Sequence, residues 1–269
     1  MIKLSFSSVL GESFRFFFAN TALFFHLVTI PWIISLAIRV IGSFLMSDDD
    51  LVYAALIEKA LDVIPTSMFL VAWIRVTLLG PNRVEGLPGL HWSGRETAFL
   101  LHLLKVGGVT FALIATLMLM LGTLDPDMLG ANADPETQRR QAMGAPIAAG
   151  FIVSVMLALR ISYGLAATAV DVAFTPRNSW TYGRGNGWTI VGTMFLIFLM
   201  SAIVTTIAAL FTVAILRGIT GPGAGAAIAA WTVATLASYA GTAVAASALA
   251  IIFRTLLGWR EGQPLKALS

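Results

Sequence analysis

Two stretches of the chain, Trp188–Ala214 and Ala226–Phe253, run without a single charged residue. A bilayer core about 30 Å thick is crossed by about 20 apolar residues in a helix. Each stretch exceeds that length. In hydrocarbon the backbone must satisfy its own hydrogen bonds, so only helices and closed barrels span it, and long continuous apolar runs select helices. The expected fold class is therefore all-α, a polytopic membrane helix bundle. Composition agrees, since only 12% of the 269 residues are charged and mean hydropathy is +0.86. Soluble domains carry about 25% charged residues. Too little charge remains to hydrate a globule of this size, which excludes a soluble enzyme, a soluble nucleic-acid binder and a disordered chain.

Six segments qualify as spans: 20–46, 55–79, 98–122, 147–174, 188–214 and 225–253. They make one integral membrane domain over residues 1–269. His102 and Lys105 stand at the start of the third. The first contains Pro31 and Arg39, the second Asp62, Pro65 and Arg75, and the fourth Arg160 and Asp171. Both prolines are expected to kink their helices. Met1–Asn20 lacks a small-residue cleavage site and does not read as a signal peptide. Within it, Leu4–Phe18 alternates Phe6, Val9, Leu10 and Phe14 with Ser7, Ser8, Glu12 and Arg15, the pattern of an amphipathic helix lying at the headgroups. Asn178–Trp188, with Trp180, Tyr182, Arg184 and Trp188, reads as an aromatic and basic interfacial belt.

Basic residues set the orientation. Lys3, Arg15, Arg75, Arg83, Arg95 and Lys105, with Arg177, Arg184, Arg254, Arg260 and Lys266, fall on the side of the two termini, eleven of the seventeen Lys and Arg. The positive-inside rule then makes both termini cytoplasmic. Asp48–Asp50 and the acidic loop 123–146 fall on the opposite side. The pI of about 9.5 belongs to this asymmetry and not to nucleic-acid binding.

Short echoes run through the chain. Ser13-Phe14 precedes Asn20 by the spacing with which Ser179-Trp180 precedes Asn186. The run from Arg75 through Leu78 and Leu79 to Gly80 matches that from Arg254 through Leu256 and Leu257 to Gly258, with Arg160 to Gly164 a fainter third. Three repeated helical hairpins would produce such a pattern, and so would chance. Trp73, Arg75 and Leu78–Gly80, then Ala169–Asp171, Ser179-Trp180 and Gly185–Trp188, resemble the uncharacterised YciC-type six-helix inner-membrane family. The membrane domain fused to some glycerophosphodiester phosphodiesterases is similar. The resemblance implies a bacterial inner-membrane protein and brings no catalytic residues with it. The acidic loop and the alanine-rich last span depart from the family pattern.

Ionisable residues within spans are the candidates for a polar network or a binding site, because each costs about 2.5–3.5 kcal/mol at a helix centre. They are Arg160, Asp171, Arg75, Arg39 and Asp62. Depth along the spans proposes the pairs Arg75–Asp171 and Arg39–Asp62. It leaves Arg160, near the middle of the fourth span, without a carboxylate. In the last span Ala230, Ala234, Ser238, Thr242, Ala246 and Ala250 recur every four residues, beside Ala237, Gly241 and Ala245. Small residues at this spacing let backbones approach closely. Ala234, Ser238, Gly241, Thr242 and Ala245 therefore mark a packing face, central in the bundle or between two copies.

Other chemistries find little support. The chain has no Cys, and His26, His91 and His102 stand apart, so no metal site is expected. Asp125, Asp127, Gly130 and Glu136 only approach a calcium loop, with Leu129 where an oxygen ligand belongs. HExxH, P-loop and G-x-S-x-G patterns are missing from the sequence. The expectation is a non-enzymatic protein without a cofactor, its partners the lipid bilayer and either further copies or other membrane proteins. Two roles remain: a component of envelope or membrane organisation, or a small secondary transporter or channel with a polar site around Arg160. A continuous polar cavity would favour transport. A dry, closed Arg75–Asp171 bundle would favour the structural role.

Overall fold

The computed structural model describes residues 3–45, 51–81, 92–122, 152–220 and 224–263. Asp48–Asp50, the acidic loop 123–146 with its calcium-like pattern, and the start of the fourth expected span lie outside the described residues. All regular structure among the described residues is helical. The helices are α1 (Phe6–Ala19), α2 (Thr21–Leu45), α3 (Leu51–Leu79), α4 (Gly94–Gly122) and α5 (152–161), then α6 (Gly164–Ala169), α7 (Pro176–Tyr182), α8 (Gly187–Thr220) and α9 (Ala224–Leu257). Five segments among the described residues are long and apolar enough to cross a membrane: Thr21–Gly42, Ile57–Leu79, Ile152–Ala169, Gly187–Ile219 and Gly225–Leu257. These coincide with the first, second, fourth, fifth and sixth expected spans. α4 covers the third as a helix of 29 residues and is not one of the five. α2 and α3 continue through Pro31 and Pro65.

α9 is the hub. It packs most extensively on α8 and also touches α1, α2, α3 and α6. Its small residues are the reason: Ala243, Ala246, Ala248 and Ala250 are fully buried and Ala245 nearly so. At Gly241 the close approach is absolute, since a Cβ there would overlap the side chain of Ser201 on α8. An aromatic cluster adjoins α9 within an otherwise aliphatic core. Phe24, Phe69 and Trp73 pack edge-on or stacked with ring centroids 5.9–6.0 Å apart, and Phe16 and Phe17 of α1 close over Trp73. The buried Trp73 Nε1 donates to Ser247 Oγ at 2.9 Å, which satisfies the one polar atom the indole brings inside.

α1 forms over the expected residues, but its apolar face meets protein. Val9 and Ser13 are buried, and the helix packs against α8 and α9. Leu4 N–H donates to Asn186 Oδ1 at 2.8 Å, and Arg254 pairs with Glu12 at 2.5 Å. The fourth expected span is broken where none was expected. At Ser162 and Tyr163 the backbone tightens into i→i+3 hydrogen bonds (Leu165 N–H to Ser162 O, 2.9 Å), and Ser162 Oγ donates back to Leu159 O. Tyr163 Oη donates to Ser179 O at 2.5 Å, and Gly164 lies against Ser179 and Phe174, so the break is held by α7.

Two of the three sequence echoes share a terminator. α3 ends at Gly80 (φ +91°), whose N–H donates to Val76 O. α9 ends at Gly258 (φ +59°), after which Trp259 N–H donates to Arg254 O. Both are left-handed helix stops that favour glycine. Gly164 instead opens α6.

Candidate functional site

The helices α2, α3, α8 and α9 enclose a polar cavity of about 230 Å³. Ser35 and Arg39 come from α2, Glu58, Lys59, Asp62 and Thr66 from α3, Thr205 from α8, and Ala234, Thr235, Ser238, Tyr239 and Thr242 from α9. Helical geometry explains the convergence, because residues four apart share a face: Ser35 with Arg39, Glu58 with Asp62 and Thr66, Ser238 with Thr242. The exposed Lys59 and the Arg39–Glu58 pair mark the mouth. The inner end is sealed. Ser35 and Tyr239 hydroxyls share a hydrogen bond of 2.7 Å, and Tyr239 meets Phe69 edge-on at 5.2 Å, where the aromatic core begins. The cavity is thus a vestibule toward the end of the bundle remote from α1.

Arg39 Nε lies 3.1 Å from Glu58 Oε1, so its partner is Glu58 and not the expected Asp62, one turn further along α3. That leaves Asp62 uncommitted to Arg39. Its Oδ1 is buried without a hydrogen-bond partner, and Thr205 Oγ1 on the facing wall is in the same condition. The two atoms line one cavity, and a buried polar group left unsatisfied costs about 1–3 kcal/mol. Ala234, Ser238 and Thr242, expected on the packing face, line this cavity, whereas Gly241 and Ala245 pack closely. The small-residue face divides between the two duties.

Arg75 and Asp171 come together as expected, at 3.6 Å, with Arg75 Nη1 also donating to Ala169 O at 3.1 Å. The principal partner of Asp171 is Arg95, which sequence depth did not single out; its Nε and Nη2 make a fork on the carboxylate at 2.7–3.0 Å. This cluster is wet: the Asp171 side chain is 57% exposed. Asp171 also has φ +60°, a left-handed conformation that Asp and Asn tolerate better than other non-glycine residues. An exposed pair contributes about 0.2–1 kcal/mol, while a β-branched side chain at positive φ costs about 1–2 kcal/mol. Asp171→Gly is therefore expected to melt close to the parent and Asp171→Val clearly below it. Thermal unfolding in detergent checks this, and equal losses for the two variants would assign the role to charge alone.

Arg160 falls near the middle of the Ile152–Ala169 segment. Its guanidinium lies 3.6 Å over the ring of Trp180 on α7, and the position of a Gly187 Cβ would be 3.0 Å from its Nε. Arg160 therefore stands beside the first residue of α8, at the level of the aromatic belt. The break at Ser162–Tyr163 follows Arg160 directly. A groove of about 360 Å³ runs past it, lined by Val153, Met156, Leu157, Gly185, Gly187, Trp188 and Val191. No cluster of three or more His, Asp or Glu suited to a metal occurs among the described residues.

These features define a helical bundle with the build of a membrane-embedded protein, with a charged cavity among its apolar helices. Comparison with protein-family models, with curated proteins and with solved structures finds no match to the chain.

Proposed function

We propose that this chain is a six-span, non-enzymatic protein of the bacterial inner membrane with both termini cytoplasmic, and that its vestibule binds a small cationic solute as a secondary transporter. α4 supplies the sixth span in this reading, with helices paired as successive hairpins. The observation that carries it is the buried, unpartnered Asp62 Oδ1 in a cavity bounded by four apolar helices. A purely structural bundle gains nothing from such an atom, whereas a protonated amine or a proton satisfies it. Thr205 Oγ1 offers a second, neutral contact across the cavity. The seal of Tyr239, Phe69 and Trp73 is what alternating access requires of a state open to one side.

The chain contains no Cys, so single cysteines report directly. Ser238→Cys and Thr235→Cys, on the cavity wall, are expected to react with a membrane-impermeant maleimide added from one side only. Ser247→Cys, beneath the seal, is expected to stay unreactive in the folded protein. Labelling of Ser247→Cys at the rate of Ser238→Cys, or no labelling of the wall positions from either side, would refute the vestibule.

A further inference from the structure

We propose that the groove between α5 and α8 is a binding site for one anionic phospholipid, with Arg160 holding the phosphate. This rests on the membrane-spanning reading and is independent of the transport reading. Arg160 is the cation of the groove, and no carboxylate pairs with it among the described residues. Its Nε is buried without an acceptor. The indole of Trp180 stacks on the guanidinium face, which leaves the in-plane N–H donors as the edge that recognises a phosphate two at a time. Gly187 gives the arginine room to lie there, because a Cβ would come within 3.0–3.3 Å of three side-chain atoms of Arg160.

The remaining wall selects a lipid over a free anion. Val153, Met156, Leu157, Val191 and Trp188 offer only apolar surface below the cation, the order in which a phospholipid presents its acyl chain beneath its headgroup. The groove opens sideways: Val153 is 55% exposed and Trp188 80%, on the helix flanks that would face lipid. A water-soluble phosphate would gain the arginine and leave that surface uncovered.

The test uses the full chain, delipidated in a neutral detergent, with binding followed by native mass spectrometry and thermal unfolding. The probes are phosphatidylglycerol, phosphatidylcholine of matched chains, and inorganic phosphate. Phosphatidylglycerol is expected to bind about tenfold more tightly than phosphatidylcholine, a preference that Arg160→Gln reduces to about parity. Val153→Trp fills the groove from an exposed position without touching the core, and is expected to weaken both lipids. It decides the question by itself if Arg160→Gln does not fold. Equal binding of the two lipids by the parent, an unchanged preference in Arg160→Gln, or lipid binding that Val153→Trp does not weaken would overturn the proposal. Protection by inorganic phosphate equal to that by phosphatidylglycerol would assign the arginine to a free anion and overturn the lipid.

Discussion

Gly241→Ala is expected to lower the thermal stability of the folded chain although alanine is the better helix former and surrounds this position on α9. The added methyl would overlap both Oγ and Cβ of Ser201, and the Cβ cannot rotate away because it is fixed to the α8 backbone. The two longest helices would have to separate along their whole contact. Overpacking of this kind costs about 1–3 kcal/mol, or roughly 2–12 °C at about 2–4 °C per kcal/mol. Gly241→Leu is expected to lose more. The double variant Gly241→Ala, Ser201→Gly removes the overlapping atoms and leaves Ser201's Cα position at 3.5 Å, an ordinary contact. It is expected to recover most of the loss, and differential scanning measurements on the four proteins of the cycle give the coupling directly. Additive effects of the two changes would show that α8 and α9 do not meet here.

What could be read from the sequence follows the physics of each signal. The uncharged runs that became α8 and α9 depend on composition alone, and their helices cover them fully. The close-packing face of α9 was legible only in part: Gly241 and Ala245 pack closely, but Ala234, Ser238 and Thr242 line the cavity, a division that small-residue spacing does not reveal. Pairings were different. Glu58 and Asp62 lie one turn apart on α3, and depth counted from a span boundary does not resolve one turn, so the partner of Arg39 was misassigned. The break in the fourth span was not foreseen, because nothing at Ser162–Tyr163 breaks a helix by itself. Gly164 permits the turn, and contacts with Ser179 and Phe174, distant in sequence, impose it. The vestibule left a trace that went unused: Ser35 with Arg39, Glu58 with Asp62 and Thr66, Ser238 with Thr242, each a polar pair at helical spacing. Only the fold shows that three helices aim these pairs at one point and that Thr205 completes them.

Asp62→Leu is expected to make the ligand-free protein more stable while abolishing its function. A buried acceptor without a partner costs about 1–3 kcal/mol, and an apolar side chain of similar size removes that cost without opening a cavity. The melting temperature of the isolated chain should therefore rise by several degrees. A residue kept for structure would behave in the opposite way, because removing one member of a satisfied buried pair is destabilising. Asp62→Asn separates charge from shape: it retains an acceptor but loses the attraction for a cation, and should abolish solute-dependent stabilisation as fully as Asp62→Leu. An apolar carbodiimide supplies a readout that needs no known substrate. It should modify Asp62 in the parent, fail in both variants, and be slowed in the parent by any amine that occupies the vestibule. Glu58→Gln frees Arg39 at the mouth and is expected to weaken amine protection without removing carbodiimide labelling of Asp62, since the reactive carboxylate remains in place. Destabilisation by Asp62→Leu, with carbodiimide labelling that no amine slows, would return Asp62 to a structural role and the bundle with it.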